Sequence, residues 1–333
     1  MRLFTQIGLV VGLVLLISLL VWQGFVDVLN LLAASGWWLL LLPLIWLPSL
    51  FIANHAWLLL FPEHATPRFM HGLLATWTGR AVNGLLPVAT IGGEIVKARL
   101  LAIRGYASLD AAASVMVDKA VQALAVALWG CVGVVTLLYI ADDTELVQYA
   151  GIGFVILIVS AIVLMRIQHL GLLGLLAKLG GKLIKTESWE GLTLNAQEAD
   201  ARVRSLYRNR YKVVACLAYR CLSLALQTLE VWLACYLLGR PISLPEAVML
   251  KSLTSTLSDI AFIIPSAYGV QEGAFILIGA LIGLDPELCL AVSLALRIRD
   301  LLLDPAGLLY LHRVESRHYS QRRLQRAQQP PES

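Results

Sequence analysis

The stretch Asn83-Gly-Leu-Leu-Pro-Val-Ala-Thr-Ile-Gly-Gly-Glu94 interrupts a long apolar part of the chain. Pro87 and the Gly92-Gly93 pair disfavour a continuous helix here, and Glu94 begins a new helical run. Irregular backbone inside a bilayer is tolerated only within protein or beside a water-filled cavity. A charge at that depth costs about 2.5–3.5 kcal/mol on insertion scales. The stretch is therefore either a loop at the membrane surface, where neither cost applies, or a functional break inside the membrane.

The composition is typical of a polytopic α-helical membrane protein. Of the 333 residues, 59% are hydrophobic and 14% are charged, and the mean hydropathy is +0.76. Soluble domains carry about 25% charged residues. Several apolar runs reach the roughly 20 residues that a helix needs to cross a bilayer. We therefore predict an all-α membrane protein. We do not expect it to bind nucleic acid, because its basic residues are concentrated in two segments that set topology.

The sequence does not indicate a metal site, a cofactor or a catalytic centre. Five cysteines occur singly in apolar runs, and the six histidines are scattered without metal-ligand spacing on one helix. Nucleophile-elbow, HExxH, Walker and Gly-x-Gly-x-x-Gly motifs do not occur. We predict a protein that is not an enzyme. A membrane enzyme that uses Glu94 with Asp118 as an acid–base pair stays open as an alternative.

Six full crossings and two pairs of shorter helices account for the apolar segments. The predicted crossings are Ile7–Val28 (an uncleaved first helix), Gly36–Phe61, Ala111–Ile140, Val147–Met165, Val213–Leu238 and Pro286–Leu311. The shorter pairs are Gly72–Leu86 with Glu94–Arg104, and Ala247–Ile264 with Glu272–Gly283. Neither arm of the first pair is long enough to span at about 1.5 Å per residue. We predict that each pair forms a re-entrant helical hairpin.

Lysine and arginine predict the topology. The segment 166–212 holds nine basic and four acidic residues, and the tail 312–333 holds five arginines against two glutamates. Both segments are expected in the cytoplasm. With six crossings, both termini are then cytoplasmic and the acidic link Asp142–Glu145 is outside. If either hairpin crossed the membrane once, the two basic segments would fall on opposite sides.

The two basic segments also suggest how the protein meets the membrane surface. Within 166–212, His169–Lys185 has leucines on one side and lysines on the other. This pattern is typical of an amphipathic helix lying on an anionic leaflet, and a solvated loop is the alternative. The tail is expected to be frayed.

When the sequence is aligned with itself at a displacement of 178 positions, one half, about 36–140, matches another, about 213–311. We predict that both halves belong to a single domain, 1–333. The displacement pairs Pro67 with Pro245, Pro87 with Pro265, Ala89 with Ala267, Glu94 with Glu272 and Gly105 with Gly283. Chance agreement among small residues is the alternative explanation. With three full crossings between them, the hairpins would enter the membrane from opposite sides. That arrangement is an inverted-topology repeat, which is typical of transporters.

Ionisable residues within the apolar spans predict a polar cavity near the membrane midplane. Glu94 and Glu272 lie at helix N-termini, which favour an anion such as a phosphate. The candidate cavity residues are Arg80, Asn83, Glu94, Asp118, Lys119, Gln271, Glu272, Arg297 and Asp300, and the candidate structural breaks are Pro87, Gly92, Gly93, Pro265 and Gly269. Arginine suits bidentate contact with phosphate. The alternative is that these charges only neutralise one another.

Three motifs resemble the lysylphosphatidylglycerol-synthase transmembrane, or flippase-like, family. They are Asn83-Gly-Leu-Leu-Pro-x5-Gly-Glu94, Asp118-Lys119 and Pro265-x-Ala-x-Gly-Val-Gln-Glu-Gly273. The resemblance covers nearly the whole chain. The Gly-Val-Gln-Glu-Gly stretch, with Arg297-Ile-Arg299-Asp300 after it, is most similar to the subgroup of membrane proteins associated with hopanoid biosynthesis.

The resemblance implies a bacterial inner-membrane protein that moves or handles a lipid, and in the subgroup a hopanoid or its precursor. No soluble aminoacyl-transfer domain follows the last span, so lysine transfer is not expected. We expect a lipid translocase or lipid-transport component, with a membrane lipid as substrate and anionic inner-leaflet lipids as partners. The alternatives are an accessory protein that scaffolds lipid-biosynthetic enzymes and a membrane-embedded lipid-modifying enzyme. The sequence does not determine the oligomeric state.

Overall fold

A computed structural model describes residues 25–86, 92–140, 187–260 and 267–328, together with isolated helical positions between 152 and 166. Several predicted features lie outside these residues. They are most of the crossings Ile7–Val28 and Val147–Met165, the acidic link Asp142–Glu145, the amphipathic segment His169–Lys185, and the breaks Pro87 and Pro265.

Throughout the described residues the chain forms helices and turns, without strands. The helices are α1 (Phe25–Ser35), α2 (Leu41–Leu58), α3 (Phe69–Leu85), α4 (Gly92–Ile103), α5 (Ser108–Ile140), α6 (Glu187–Arg208), α7 (Arg210–Leu237), α8 (Leu244–Ile260), α9 (Val270–Ala280) and α10 (Pro286–Gln328). Short 3₁₀ turns follow α1 at Gly36–Leu40 and precede α3 at Glu63–Ala65. The predicted all-α class is confirmed.

In the described part of the chain, three helical segments are long and apolar enough to cross a membrane. They are Asn30–Leu58, Ser108–Ile140 and Arg210–Leu237. Each coincides with a predicted crossing. The first begins before the expected Gly36, because α1 runs into α2 through the 3₁₀ turn.

Two basic segments are more ordered than the sequence suggested. The tail continues α10 as far as Gln328, because side chains fasten it to α4: Arg99 pairs with Glu315, and Arg104 hydrogen-bonds the Tyr310 hydroxyl. The sequence did not predict this helical continuation of α10 into the tail. The segment 166–212 contains α6, which packs on α5.

The helices of the two halves correspond in order. Helices α2–α5 form the first half, and α7–α10 form the second. Their packing is reciprocal: α2 packs on α7, α10 packs on α3, and α5 packs on α8. The last helix of each half therefore lies against the first arm of the other half's short helix pair.

The turns before α5 and α10 have the same backbone conformation, and their residues are 178 positions apart in the sequence. Gly105 has φ +88° and Gly283 has φ +69°, in the left-handed region that favours glycine. In the first turn the Tyr106 N–H donates to the Leu101 carbonyl, and in the second the Leu284 N–H donates to the Gly279 carbonyl. Both have the hydrogen-bond pattern of a Schellman motif. The sequence correspondence at this displacement is therefore accompanied by the same backbone geometry in these two turns.

Apolar side chains form two separate cores, and a polar section lies between them. One core joins the second half to the early part of α2 and the late part of α5, through residues such as Leu42 and Leu137. The other joins the first half to α6 and the early part of α7, through residues such as Trp57 and Cys216. Because α2, α5 and α7 contribute to both cores, their middle turns face the space between.

Candidate functional site

A cavity of about 350 Å³ lies between the two cores, within the size range of small-ligand pockets. Every helix of both halves contributes at least two residues to its wall. The lining residues are Trp46, Ser49, Leu50, Ala53, Thr76, Arg80, Asn83, Glu94, Lys97, Lys119, Gln122, Ala125, Val126, Arg220, Ser223, Leu224, Gln227, Lys251, Thr254, Ser255, Ser258, Asp259, Gln271, Phe275, Leu296 and Arg299. The cavity is polar, and it exists only where the two halves meet.

Asn83 closes the break between α3 and α4. Its Oδ1 accepts a hydrogen bond of 2.7 Å from the Gly93 N–H, the second residue of α4. The two helices approach so closely that a Cβ added at Gly93 would overlap the Gly79 carbonyl oxygen. Gly93 is thus required for contact between the helices, which explains the glycine pair at the start of α4.

Asp118 is the buried acceptor of the first cluster of charges. It is 1% exposed. Its Oδ2 accepts from Lys97 Nζ at 3.0 Å, and its Oδ1 accepts from Arg220 Nε at 3.0 Å. Glu94 shares the same lysine, 3.2 Å from Lys97 Nζ, and lies 3.5 Å from Lys119 Nζ. The carboxylates therefore hold three cations at the cavity wall.

Glu272 is enclosed by three donors. It has no exposed surface. It accepts from the Gly269 N–H at 2.7 Å, from Ser293 Oγ at 3.0 Å and from Arg297 Nε at 2.5 Å. Gln271 Nε2 donates to the same serine at 3.0 Å. The start of α9 is fixed by this carboxylate, as expected for an acid in the first turn of a helix.

A third cluster joins α3, α7 and α10. Arg80 Nη1 donates to Asp304 Oδ1 at 2.8 Å, and its other terminal nitrogen pairs with Asp300. Arg299 lies 2.7 Å from Asp300 and pairs with Glu230, which is fully buried. The two arginines are thus held by carboxylates from α7 and α10.

Aromatic rings support three of the cavity cations. The Arg80 and Arg299 guanidinium groups lie 4.0 Å and 5.0 Å from the centre of the Trp46 ring. Lys97 Nζ lies 4.4 Å from the Trp57 ring. Such contacts stabilise a desolvated cation by about 2 kcal/mol, so the positive groups are positioned by rings as well as by carboxylates.

One ion pair is repeated between the halves. The displacement of 178 positions pairs Glu94 with Glu272 and also Lys119 with Arg297. In each half the cation contacts the glutamate, at 3.5 Å in the first and 2.5 Å in the second. The first pair lies at the cavity wall and the second is buried.

The structure divides the candidate residues between the wall and the region behind it. Arg80, Asn83, Glu94, Lys119 and Gln271 line the cavity. Asp118 and Asp300 lie behind the wall and contact lining cations, whereas Glu272 and Arg297 contact each other. Of the break residues, Gly92 and Gly93 begin α4, and Gly269 precedes α9 with φ +76°.

Sequence reasoning missed four cations of the wall: Lys97, Arg220, Lys251 and Arg299. Lys97 is 5% exposed and lies three positions after Glu94. That spacing places both side chains on one helix face and could have identified the pair. Arg220 and Lys251 lie in the middle of largely apolar helices, and charged residues at such positions are themselves a signal of an intramembrane site.

Comparison with known families agrees with an α-helical membrane protein. The family model for the lysylphosphatidylglycerol synthase TM region matches residues 7–304. No curated protein and no solved structure matches the chain. Because the matched range covers most of the 333 residues, the chain belongs to the lysylphosphatidylglycerol synthase TM region family.

Proposed function

We propose that the protein is a membrane lipid translocase, or the lipid-binding component of a transport system, and that the cavity takes up the polar head group. The family has a membrane lipid-related role. The observation that carries the proposal is that a polar cavity is built by eight helices from both halves. Polar groups inside apolar helices are expensive and mark pathways for polar substrates.

We further propose that α3–α4 and α8–α9 are re-entrant hairpins of an inverted repeat in the bacterial inner membrane. Helix α4 has 12 residues, and at 1.5 Å per residue it is about 18 Å long, too short to span. The reciprocal packing of α5 on α8 and of α10 on α3 supports two related halves. With six crossings and cytoplasmic termini, the basic segments all lie on one side.

The lipid chemistry is also part of the proposal. The motifs around Glu272 and Arg297 favour a hopanoid or its precursor as one candidate, and the polar cavity favours a lipid with a polar head group. We propose transport rather than catalysis because the carboxylates at and behind the wall, apart from Asp259, contact lysine or arginine. Among the described residues, no group of His, Cys, Asp and Glu could hold a metal ion.

The proposal is tested with the full chain reconstituted into vesicles that carry a fluorescent lipid in one leaflet. Chemical quenching of the outer leaflet measures how much lipid has moved. We expect protein-dependent movement of at least one lipid among phosphatidylglycerol, phosphatidylethanolamine and a hopanoid. No movement of any of them would contradict transport.

A cavity variant and a surface variant separate transport from leakage. Gln122 and Gln227 line the cavity, so the double variant Gln122→Leu/Gln227→Leu makes it less polar and is expected to slow movement. Arg240 is exposed in the turn before α8, and Arg240→Gln is expected to behave as the unmodified protein. Equal rates for all three proteins would show that movement does not use the cavity.

A further inference from the structure

Positive charge faces the cavity and negative charge lies behind it. Within the described ranges, the lining carboxylates are Glu94 and Asp259, and the lining cations are Arg80, Lys97, Lys119, Arg220, Lys251 and Arg299. The other carboxylates of the clusters, Asp118, Glu230, Asp300 and Asp304, contact these cations from behind the wall. A ligand inside the cavity therefore meets an excess of positive groups, which favours an anion.

Lys251 differs from the other five cations. Each of those five lies within 4 Å of a carboxylate. Lys251 makes no such ion pair and donates no hydrogen bond to any group in the described part of the chain. The acids in its surroundings are Asp259 and two that Arg299 already contacts, Glu230 and Asp300. The Lys251 ammonium at the cavity wall therefore has donors available for a ligand that supplies an acceptor.

Hydroxyl groups extend from Lys251 along the same face of α8. Ser255 and Ser258, four and seven positions further on, also line the cavity, as the helical period requires. The Ser258 hydroxyl is buried and has no hydrogen-bond partner among the residues that the structure describes. An ammonium and two hydroxyls supply donors along one helix face, and phosphate oxygens are strong acceptors for both.

We propose that Lys251 is the phosphate-binding residue of the cavity, and that the ligand is a lipid whose head group carries a phosphate. Ser255 and Ser258 donate to the same head group. This inference rests on the proposed function and extends it by specifying that the lipid head group is negatively charged. An uncharged head group would leave the Lys251 ammonium without an acceptor, so phosphate-bearing lipids are favoured over uncharged hopanoids.

Binding to the full chain in a neutral detergent tests the proposal without requiring transport. The probes are phosphatidylglycerol, a polyisoprenyl phosphate, inorganic phosphate, and diacylglycerol as a phosphate-free lipid. Binding is read from tryptophan fluorescence, since Trp46 lines the cavity, and from the unfolding temperature. We expect the phosphate-bearing probes to bind and diacylglycerol not to bind.

Variants of Lys251 test whether this side chain contacts the phosphate of the lipid. Losing a charge-assisted hydrogen bond should weaken binding of the phosphate lipid about tenfold in Lys251→Gln, whereas Lys251→Arg should retain most of it. The control Arg240→Gln should bind normally. Equal affinity of the unmodified protein and Lys251→Gln, or binding of diacylglycerol as tight as that of phosphatidylglycerol, would overturn the proposal.

Chemical labelling provides a measurement that needs no variant. A bound phosphate lipid should protect Lys251 from an amine-reactive reagent, while Lys212, at the start of α7 outside the cavity, should be labelled as before. Equal labelling of Lys251 with and without lipid would also overturn the proposal. If inorganic phosphate competes with the bound lipid, the site recognises the phosphate group itself. If one phosphate lipid binds more tightly than the others, that lipid is identified as the source of the phosphate.

The two proposals fail in different ways. Phosphate lipid that binds through Lys251 but does not move between leaflets would contradict transport and leave this site intact. Lipid movement that continues unchanged in Lys251→Gln, with unchanged binding, would contradict this site and leave transport intact.

Discussion

Glu272 has no exposed surface, whereas Glu94, its counterpart 178 positions earlier, lines the cavity. Both are the third residue of their helix, α4 or α9, and each contacts a cation of the helix that follows. Glu272 is enclosed by three donors at 2.5–3.0 Å. Glu94 is held more loosely, by Lys97 at 3.2 Å and Lys119 at 3.5 Å. The second half therefore has a structural carboxylate where the first half has one available to a ligand.

Replacing Glu272 should damage folding, and replacing Glu94 should not do so to the same extent. Glu272→Gln leaves the largely buried Arg297 without its carboxylate, and breaking a buried pair costs about 3–5 kcal/mol. Unfolding temperatures in detergent measure the difference between Glu272→Gln and Glu94→Gln. Equal destabilisation by the two substitutions would show that the glutamates have the same structural role.

Asp118→Asn should be among the most destabilising conservative changes in the chain. It removes the negative charge shared by Lys97 and Arg220, which are 5% and 8% exposed, and replaces one of the two acceptor oxygens by a donor, so we expect a loss of about 3–5 kcal/mol. Glu315→Gln is the matched control. It breaks an ion pair whose side chains are 56% and 32% exposed, and such pairs contribute about 0–1 kcal/mol. Equal denaturant midpoints for the two variants would count against a buried cluster.

Low pH should weaken the ion pair between Arg99 and Glu315 that holds the tail against α4. Hydrogen bonds from Arg99 hold the pKa of Glu315 below its ordinary value of 4.5. A carboxyl group whose pKa is lower in the folded state stabilises the fold above its unfolded pKa, and this contribution is lost as the pH falls through the folded pKa. Between about pH 6 and about pH 3, Glu315→Gln should show a slightly smaller loss of stability than the unmodified protein, by less than about 1 kcal/mol. Proteolysis of the tail measured against pH gives the same comparison, and parallel curves would refute it.

A methyl group at Gly93 should force α3 and α4 apart. In Gly93→Ala the added Cβ overlaps the Gly79 carbonyl oxygen, which is backbone and can move only with its helix. We expect strong destabilisation, as for overpacking, of about 1–3 kcal/mol or more. Gly273→Ala in α9 is the control, since its Cβ meets nothing within 4 Å, and alanine is favoured in a helix by about 1 kcal/mol. Normal stability of Gly93→Ala would mean that the two helices do not pack this closely.

Much of the helical arrangement could be predicted because apolar length and helix-breaking residues act locally. The Pro and Gly residues around Glu94 and Glu272 predicted where α4 and α9 begin, to within two residues. The helical continuation into the tail could not be predicted, for a different reason. Its order depends on Arg99 and Glu315, which are 216 positions apart, and sequence pattern does not show such contacts.

The cavity was only partly predictable. Charged residues in apolar segments predicted that a polar site exists and named five residues of its wall. The sequence did not show which charges face the cavity, because Glu94 and Glu272 have the same local surroundings and differ only in what packs over them. Lys251 was missed since its significance lies in the lack of an ion pair with any described residue, and that is a property of the packed helices.

The reciprocal packing of the two halves has a consequence for how the protein could be divided. Helix α5 lies against α8 and helix α10 against α3, so each half buries surface that the other half exposes when separated. A chain cut between Ile140 and Glu187 should therefore yield two fragments that complement each other when they are produced together, while either fragment alone has only half of the cavity wall.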